Sequence, residues 1–253
     1  GRGGQGAPDA PALCGLGRGS PLSCPGMLLR VRSITYLAQR INGYELVDPD
    51  ECDLPGFTAG AHVSVRVGHG AVRDFSLHND PAERARYCIA VLREPEGQGS
   101  REWHEQVRVG EIVEASAPRN NFPLAAEAEH HLLIAGGIGI TPIMSMIAEL
   151  RRRRADFRLH YCTRSPEETA FLDDFAILAA QGRVQFHHDG GDPAKGLDLA
   201  ATLREYRPGT HLYYCGPAGM MRAAEAASRH WPPGTVHCEY FAGPKAVPPM
   251  LAG

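Results

Sequence analysis

The chain has 253 residues, of which 43% are hydrophobic and 22% are charged, and its formal net charge is −3. This length is sufficient for one large or two ordinary domains, and the composition is typical of a soluble globular protein. The charge argues against nucleic-acid binding, which needs a basic face. No apolar run reaches the roughly 18 residues of a membrane span. The first 26 residues also lack the apolar segment of a signal peptide.

The seven cysteines are widely spaced and form no C-x-x-C pair. They predict neither a disulfide framework nor a zinc site, and they favour a reducing, cytoplasmic compartment. No C-x₄-C-x₂-C run for a plant-type iron–sulfur cluster occurs within the 253 residues. The histidine pairs at 130–131 and 187–188 predict no metal site, since neighbours on a strand point to opposite faces.

Residues 1–26 are rich in glycine, proline and serine and predict a disordered linker or tag. From 27 to 124, six short runs predict strands: LLRVRSITYL, INGYELVD, AHVSVRV, VRDFSL, YCIAVLR and EIVEASAP. Such spacing favours an antiparallel β barrel. One helix over 100–107, capped by Ser100, is predicted to interrupt the strands, and PRNNFP at 118–123 is interpreted as a linker.

From 125 to 243 the pattern alternates between strands and helices, which predicts a parallel sheet covered by helices. The predicted strands are HLLIAG, FRLHYCT, VQFHH, HLYYCG and TVHCEYF, and the predicted helices span 142–153, about 167–180, about 198–204 and 217–229. The predicted fold class is therefore an antiparallel β barrel followed by a parallel-sheet α/β domain. Residues 244–253 are interpreted as a linker.

The segment 131–142, HLLIAGGIGITP, is typical of a strand, a glycine turn and a helix. Glycines let a ligand approach the backbone closely, and Pro142 fits the first helical position. The free N–H groups at the start of the helix predict an anion site that suits the pyrophosphate of a dinucleotide. Because proline replaces the third glycine of G-x-G-x-x-G, a plain turn between core elements is an open alternative.

Two segments of the predicted barrel carry candidate chemistry. RDFSL at 73–77 offers an arginine for a phosphate, an aromatic ring for a ring face and a hydroxyl for a ring nitrogen. On a strand, Arg73 and Phe75 share one face, and Asp74 and Ser76 the other. EGQGS at 96–100 is a second glycine turn before a helix and hence a second candidate anion site, with a plain surface turn as the alternative.

Three strand ends of the predicted α/β domain carry further candidates. YCGP at 214–217 lies at the carboxyl edge, where open α/β sheets bind ligands, although a buried core cysteine is the alternative. CTRS at 162–165 lies where an acid favours NAD and an arginine accommodates a 2′-phosphate, and the first acid there is Glu167. EYF at 239–241 closes the last strand.

In this order and spacing, RDFS, G-x-G-S, GGIGITP, CGP and EYF resemble the ferredoxin–NADP reductase superfamily. LHNDPAERARYCIAVLREPEGQGSREWHEQVRVGE, PRNNFPL and LHYCTRSPEETAFLD resemble more narrowly its phthalate dioxygenase reductase branch, which includes vanillate demethylase reductases. The resemblance covers about 27–243, with three departures. Phe75 stands where the family usually has tyrosine, GQGS stands for GRGGS, and the chain stops after GPKAVPPMLAG, where branch members continue into a ferredoxin domain.

The resemblance implies an FMN-dependent oxidoreductase that passes electrons from NADH singly to an iron–sulfur centre feeding a Rieske or haem oxygenase or demethylase. FAD is less favoured than FMN, and Arg164 and Ser165 leave NADPH open. The [2Fe–2S] cluster is expected on a further domain or partner protein, toward which 244–253 leads. We expect a monomer whose partners are a ferredoxin-type domain or protein and a terminal oxygenase. An FAD enzyme of the ferredoxin–NADP reductase type and a non-catalytic flavin relay or sensor are the alternatives.

The resemblance also implies roles for individual residues in a cleft between the two domains. Ser76 would bind flavin N5, Cys215 would lie near nicotinamide C4 with Glu239 beside both, and Phe241 would cover the flavin until nicotinamide displaces it. The implied flavin-binding residues are Arg73, Asp74, Phe75, Ser76, Ala90, Leu92, Gly97, Gly99 and Ser100. The implied nucleotide-binding residues are Gly137, Gly139, Thr141, Pro142, Thr163, Arg164, Ser165, Cys215, Gly216 and Pro217.

Overall fold

The computed structural model describes residues 26–67, 71–95 and 97–241. The expectations for 1–25 and for 244–253 therefore lie outside the described residues. Two sheets form, one antiparallel with six strands and one parallel with five strands, so the predicted fold class is confirmed. No helix within the described ranges is long and apolar enough to cross a membrane.

The antiparallel sheet consists of β1 (Met27–Ala38), β2 (Ile41–Val47), β3 (His62–Val67), β4 (Ala71–Ser76), β5 (Tyr87–Leu92) and β6 (Ile112–Ala115). The strand order is β4-β3-β6-β1-β2-β5. Along β1, Leu29 and Val31 are buried while Leu28 is exposed, which is the alternation of a strand with one wet face. All six predicted strands are confirmed, because this alternation is visible in the sequence.

Helix α1 (Gln98–Gln106) packs against β3 and β5. Its Trp103 is buried, with its ring 5.5 Å from that of Tyr44 and 5.3 Å from that of Phe75. The predicted cap is wrong, because the helix begins two residues before Ser100. The Ser100 hydroxyl instead donates to Gly97 O at 3.0 Å and accepts from the Glu94 N–H at 3.1 Å, which fastens the loop before the helix.

The parallel sheet consists of β7 (His130–Gly136), β8 (Asp156–Thr163), β9 (Val184–His188), β10 (Thr210–Cys215) and β11 (Val236–Glu239). Their order is β11-β10-β7-β8-β9. Helices α2 (Ile140–Arg152), α3 (Ala176–Ala180), α4 (Leu199–Thr202) and α5 (Ala218–Ser228) connect the strands. One apolar cluster lies between the sheet and α2, and a second one lies on the α5 side. The sheet is therefore covered on both faces, as its apolar strands require.

Two helix predictions need correction. A short 3₁₀ turn, Gly137–Gly139, precedes α2, so Pro142 is the third helical residue and not the first. Its missing N–H still costs nothing, because the first four N–H groups of a helix have no partner within it. The helix predicted over 167–180 is wrong for most of its length, since only Ala176–Ala180 is α-helical. Phe171 has a φ of 61°, which a right-handed helix does not accommodate.

The two sheets share an apolar core. Phe122, within the segment interpreted as a linker, is buried, and its ring lies 6.0 Å from that of Tyr213 in β10. The same cluster includes Ala90 of β5 and Ile143 of α2. The side chain of Asn120 donates to Ala59 O at 2.8 Å. Residues 118–123 are therefore packed into the contact between the domains, which fixes the two sheets relative to each other.

Two buried histidines predict that acid destabilises the fold. Burial lowers the pKa of both His78 and His160 to about 4, and His160 Nδ1 lies 2.9 Å from His187 Nε2. In the unfolded chain both rings titrate near their ordinary pKa of about 6.5. The unfolded state therefore binds more protons below that pH. The stability is complete above about pH 6.5 and is lost progressively as the pH falls towards 4.

We expect the free energy of unfolding to decrease by about 1–2 kcal/mol for each of these histidines between about pH 7.5 and pH 5. Urea unfolding followed by circular dichroism measures the change. In His160→Gln, the difference between the two pH values should be smaller than in the wild type. Equal unfolding free energies of the wild type at both pH values would contradict the prediction.

Candidate active site between the domains

The two glycine loops of the α/β domain leave the same edge of the sheet. One follows β7 and the other follows β10, and these strands are parallel neighbours. The chain proceeds from β7 to β8 on one side of the sheet and later returns to β10 on the other, so the strand order reverses here. Open α/β sheets bind ligands in the crevice at such a reversal. The topology therefore creates a ligand crevice where the sequence puts its glycines.

The glycines in these loops are required for different structural reasons. A Cβ at Gly139 would lie 2.3 Å from the Cys215 carbonyl oxygen, and one at Gly216 would lie 3.0 Å from Gly136 Cα. These glycines allow the two loops to touch. Gly137 differs, because its φ is 52° and a Cβ there would meet nothing within 4 Å. Gly137 therefore has open backbone that a ligand can approach, whereas Gly139 and Gly216 are needed for packing.

Ser76, Cys215 and Glu239 come together at the boundary between the domains. Glu239 ends β11 and is the parallel-register neighbour of Cys215, which ends β10. Ser76, which ends β4 of the barrel, lies close enough to the Glu239 carboxylate to act against the rise of its pKa. Ser76 and Cys215 are both buried. Three strand ends from two domains thus meet at one enclosed point, while the roles of these residues stay predictions.

The electrostatics of this point are unusual. Burial raises the pKa of Glu239 to about 7, the Ser76 side chain opposes that shift, and the charge of Asp74 adds to it. Glu239 Oε1 lies 3.8 Å from His62 Nδ1. Oε2 is buried and has no hydrogen-bond partner among the described residues. Such an acceptor costs about 1–3 kcal/mol, which a ligand that donates a hydrogen bond would recover.

The Cys215 side chain is a neutral thiol. Burial, followed by the nearby Glu239 carboxylate, raises its pKa well above the usual range of a thiol. A nucleophilic cysteine needs a lowered pKa and a positive surrounding. The site therefore offers Cys215 as a contact surface and not as a covalent nucleophile.

The opposite face of β4 carries a basic cradle. A Cβ at Gly99 would lie 3.1 Å from Arg73 Nε, so the guanidinium lies against the first turn of α1. Gly97, which precedes the helix, has no side chain to cap it. The first N–H groups of α1, together with the arginine, form a cradle with the chemistry of a phosphate site. These residues fit the phosphate of a flavin nucleotide.

The other predicted flavin-binding residues lie in three different surroundings. Phe75 is half-buried against Trp103, next to the cradle. Asp74 points to the other side, where it accepts a hydrogen bond from Ser64 Oγ at 2.5 Å. Ala90 is buried in the core shared by the two domains, and Leu92 packs against that core.

The loop after β8 is held by its own hydrogen bonds. Thr163 is buried, and its hydroxyl lies 2.7 Å from Thr169 Oγ1 and 3.0 Å from His188 Nδ1. Arg164 is exposed. The Ser165 side chain near the Glu167 carboxylate holds the pKa of Glu167 below the usual range. An acid therefore lies at this strand end, although the motif CTRS contains none.

Three other predicted residues complete the site. The Thr141 hydroxyl donates to Ile138 O at 3.0 Å, so it closes the glycine turn, and Pro142 is buried directly after it. Phe241, just beyond β11, is 41% exposed. The described ranges contain no group of three or more histidine, cysteine, aspartate or glutamate side chains that could hold a metal ion.

Sequence reasoning missed His62 and Trp103. His62 is buried and pairs with Ser76 across β3 and β4, which brings it to Glu239. A signal was present, because joining AHVSVRV and VRDFSL as a hairpin puts His62 opposite Ser76. No local pattern marks Trp103, whose contact with Phe75 depends on how α1 packs on the sheet.

Comparison with known proteins identifies the family. A family model described as dimethylamine monooxygenase subunit DmmA-like, N-terminal domain, matches residues 113–231. The tert-butanol monooxygenase / tert-amyl alcohol desaturase reductase subunit of Aquincola tertiaricarbonis is 54% identical, over 87% of this chain and 66% of that protein. Phthalate dioxygenase reductase of Burkholderia cepacia is 44% identical, over 84% of this chain and 67% of that protein.

This chain belongs to the phthalate dioxygenase reductase family. The solved structure of a phthalate dioxygenase reductase, described as modular for electron transfer from pyridine nucleotides to [2Fe-2S], has a TM-score of 0.82 at 43% identity. That match covers 86% of this chain and 68% of the other. The chain thus spans about two thirds of the length of these relatives. The named relatives in the family are reductase components of monooxygenases and dioxygenases, which are oxidoreductases.

The contact between the two glycine loops predicts that an alanine substitution destabilises the fold at Gly139 but not at Gly219. Gly139→Ala forces a Cβ to 2.3 Å from a backbone oxygen, so we expect a loss of at least about 2 kcal/mol of stability and weaker nucleotide binding. Gly219→Ala is the matched control, because that glycine lies in α5 with open space around it. Gly219 is the second residue of α5, and alanine favours a helix more than glycine does, so G219A should not lose stability. Thermal unfolding of both variants tests this, and equal melting temperatures would contradict the interpretation of Gly139.

Proposed function

We propose that this chain is the flavin- and nicotinamide-binding part of an oxygenase reductase, which oxidises NADH and passes electrons singly to an iron–sulfur centre. One observation carries the proposal: Ser76, Cys215 and Glu239 meet at a buried point that both domains build. A phosphate cradle lies on the barrel side, and a glycine crevice lies on the α/β side. The names of the relatives support the same activity.

The residues fit an FMN held by the barrel. Arg73 and the loop 97–100 would bind its phosphate, Phe75 would pack on the ring, and Ser76 would contact the ring nitrogen. When bound, the flavin supplies the conversion from a two-electron donor to single-electron transfer, chemistry that belongs to the cofactor. FMN is preferred over FAD on the family resemblance, and the cradle of one arginine and one helix start suits a single phosphate.

The α/β domain would bind and orient the dinucleotide. Gly137 offers open backbone, and the first N–H groups of α2 suit the pyrophosphate. The neutral Cys215 thiol would lie against the nicotinamide, and Glu239 would hold or release a proton beside Ser76. The shared core fixes one domain against the other, which would hold the residues for the flavin and those for the nicotinamide in a constant relative position.

NADH is preferred over NADPH because of Glu167. Its carboxylate lies near Ser165, at the strand end where dinucleotide folds generally recognise the adenosine ribose. A carboxylate accepts hydrogen bonds from ribose hydroxyls and repels a 2′-phosphate. We further propose that a ferredoxin-type domain or protein and a terminal oxygenase of Rieske or haem type receive the electrons. We place the protein in the cytoplasm, a reducing compartment, which suits cysteines that form no disulfide within the described ranges.

Anaerobic mixing of the purified, flavin-loaded chain with NADH tests the function. We expect the flavin absorbance at about 450 nm to bleach within seconds with NADH and more slowly with NADPH. The extracted cofactor should have the mass of FMN. A chain that binds flavin without bleaching would be a relay or sensor module. A cofactor with the mass of FAD would favour the ferredoxin–NADP reductase alternative. Material that takes up no flavin would refute the proposal.

The raised pKa of Glu239 predicts a pH dependence of NADH oxidation. Glu239 is neutral below about pH 7 and ionised above it, and the ionised form stabilises the positive charge that develops on the nicotinamide ring. The wild-type rate should therefore rise through pH 7. Glu239→Gln should be at least about tenfold slower at high pH and lose the inflection. Stopped-flow rates across pH measure this, with flavin content as the control, and an unchanged inflection in E239Q would contradict the assignment.

A further inference from the structure

The hairpin between β1 and β2 reaches from the barrel to the α/β domain. The Gln39 N–H donates to Glu167 O at 2.8 Å, and Arg40 Nη2 donates to Glu168 Oε2 at 3.1 Å. Both acceptors lie in the 3₁₀ turn Pro166–Glu168, which follows β8 almost directly. We call the contact formed by Gln39, Arg40, Glu167 and Glu168 the hairpin clasp. It joins the two domains by polar contacts beside their shared apolar core.

The turn held by the hairpin clasp also holds Ser165. The Glu168 N–H donates to Ser165 O at 3.2 Å, and the Glu167 carboxylate lies close enough to the Ser165 side chain for Ser165 to lower its pKa. Thr169 Oγ1 donates to the same carbonyl at 2.8 Å. The position of Ser165 and of the Glu167 carboxylate therefore depends on a turn that the barrel domain anchors from outside. Ser165 and Glu167 are the groups proposed above for the adenosine ribose.

The backbone conformation at Arg40 is unusual for a residue with a long side chain. Arg40 has a φ of 65°, in the left-handed region that favours glycine or asparagine, and two-residue hairpin turns commonly contain glycine there. The sequence instead keeps an arginine, whose charged end is engaged with Glu168 while the pair is only partly exposed, at 34% and 24%. The Arg93 N–H donates to Arg40 O at 2.7 Å, so the turn itself is fixed on the barrel. Arg40 thus combines a strained backbone conformation with a side chain that contacts the other domain.

Phe171 supports the contact from the α/β side. It also has a positive φ, of 61°, and its buried ring lies 4.9 Å from that of His78 of the barrel. Phe171 shares the interdomain cluster with Ala38 and Ile41, the residues on either side of the hairpin turn. A residue of the barrel, Arg40, and a residue of the α/β domain, Phe171, thus both have a positive φ near this boundary. Such conformations persist where the surroundings impose them.

We propose that the hairpin clasp positions the adenosine-binding turn for the dinucleotide, with Arg40 as its positioning residue. The inference rests on the proposed function, because it concerns the adenosine half of the dinucleotide that the proposed enzyme oxidises. Within the described ranges, Arg40 contacts Glu168 and Arg93 and neither Ser76 nor Cys215, so the nicotinamide half should be unaffected. Loss of Arg40 should therefore weaken recognition of adenosine diphosphoribose and leave the reaction at the nicotinamide unchanged.

Arg40→Gly tests the proposal, because glycine relieves the backbone at this φ while it removes the ion pair. We expect KM for NADH to rise about two- to fivefold, the range of a partly exposed ion pair, with kcat within about twofold of the wild type. Reduced nicotinamide mononucleotide, which lacks the adenosine half, should be oxidised by R40G and wild type alike. In the double variant with the charges exchanged, Arg40→Glu and Glu168→Arg, the KM for NADH should lie closer to the wild-type value than in R40G.

Arg66→Ala is the matched control, since the Arg66–Glu114 pair has a similar exposure, 30% and 25%, but lies within the barrel. Its kinetics should equal those of the wild type. An unchanged KM for NADH in R40G would overturn the proposal. Equal losses with NADH and with the mononucleotide would also overturn it, because they indicate a general effect on domain packing.

Calorimetric binding of ADP-ribose separates the proposal from the proposed function, because it requires no flavin reduction. If wild type fails to oxidise NADH, the proposed function fails. The hairpin clasp is then still supported by weaker ADP-ribose binding in R40G, and it is overturned by equal binding or by no binding to either protein.

Discussion

The close approach of Ser76 to Glu239 is the contact on which the site depends. It joins the end of a barrel strand to the end of a parallel strand, so it can form only when both domains are folded and docked. The docking buries the Glu239 carboxyl, and that burial moves its pKa to about 7. One contact thus links the packing of two domains to a group that can exchange a proton at neutral pH.

The shared core explains why such a contact can persist. A carboxyl group that loses water without full compensation is unfavourable, and the apolar contacts of Phe122, Tyr213 and their neighbours offset that cost. The hairpin clasp adds polar contacts at another place on the same boundary. The glycines of the two loops bring the strand ends together because no Cβ separates them. The core, the hairpin clasp and the glycine contacts together fix the positions of the residues proposed to bind the ligands.

Much of the fold could be predicted because its signals are local. The alternation in LLRVRSITYL and the alternation of strands and helices after residue 125 both report burial directly. The motifs RDFS, GGIGITP and CGP lie at the ends of these strands, so their places in the fold could be predicted from the same patterns. Local signals failed at 167–180, where apolar spacing suggested one helix. Tertiary contacts of Phe171 with the other domain impose a backbone conformation that interrupts it.

The sequence by itself determined the two sheets, the order of the strands along the chain and the residue types at the strand ends. The family resemblance already implied that Glu239 lies beside Ser76. Tertiary structure alone decided that Ser100 fastens a loop instead of capping a helix, and that Arg40 reaches Glu168. The physical reason is distance along the chain. These partners are separated by strands and whole domains, and no propensity or period records a contact that forms only when two surfaces pack.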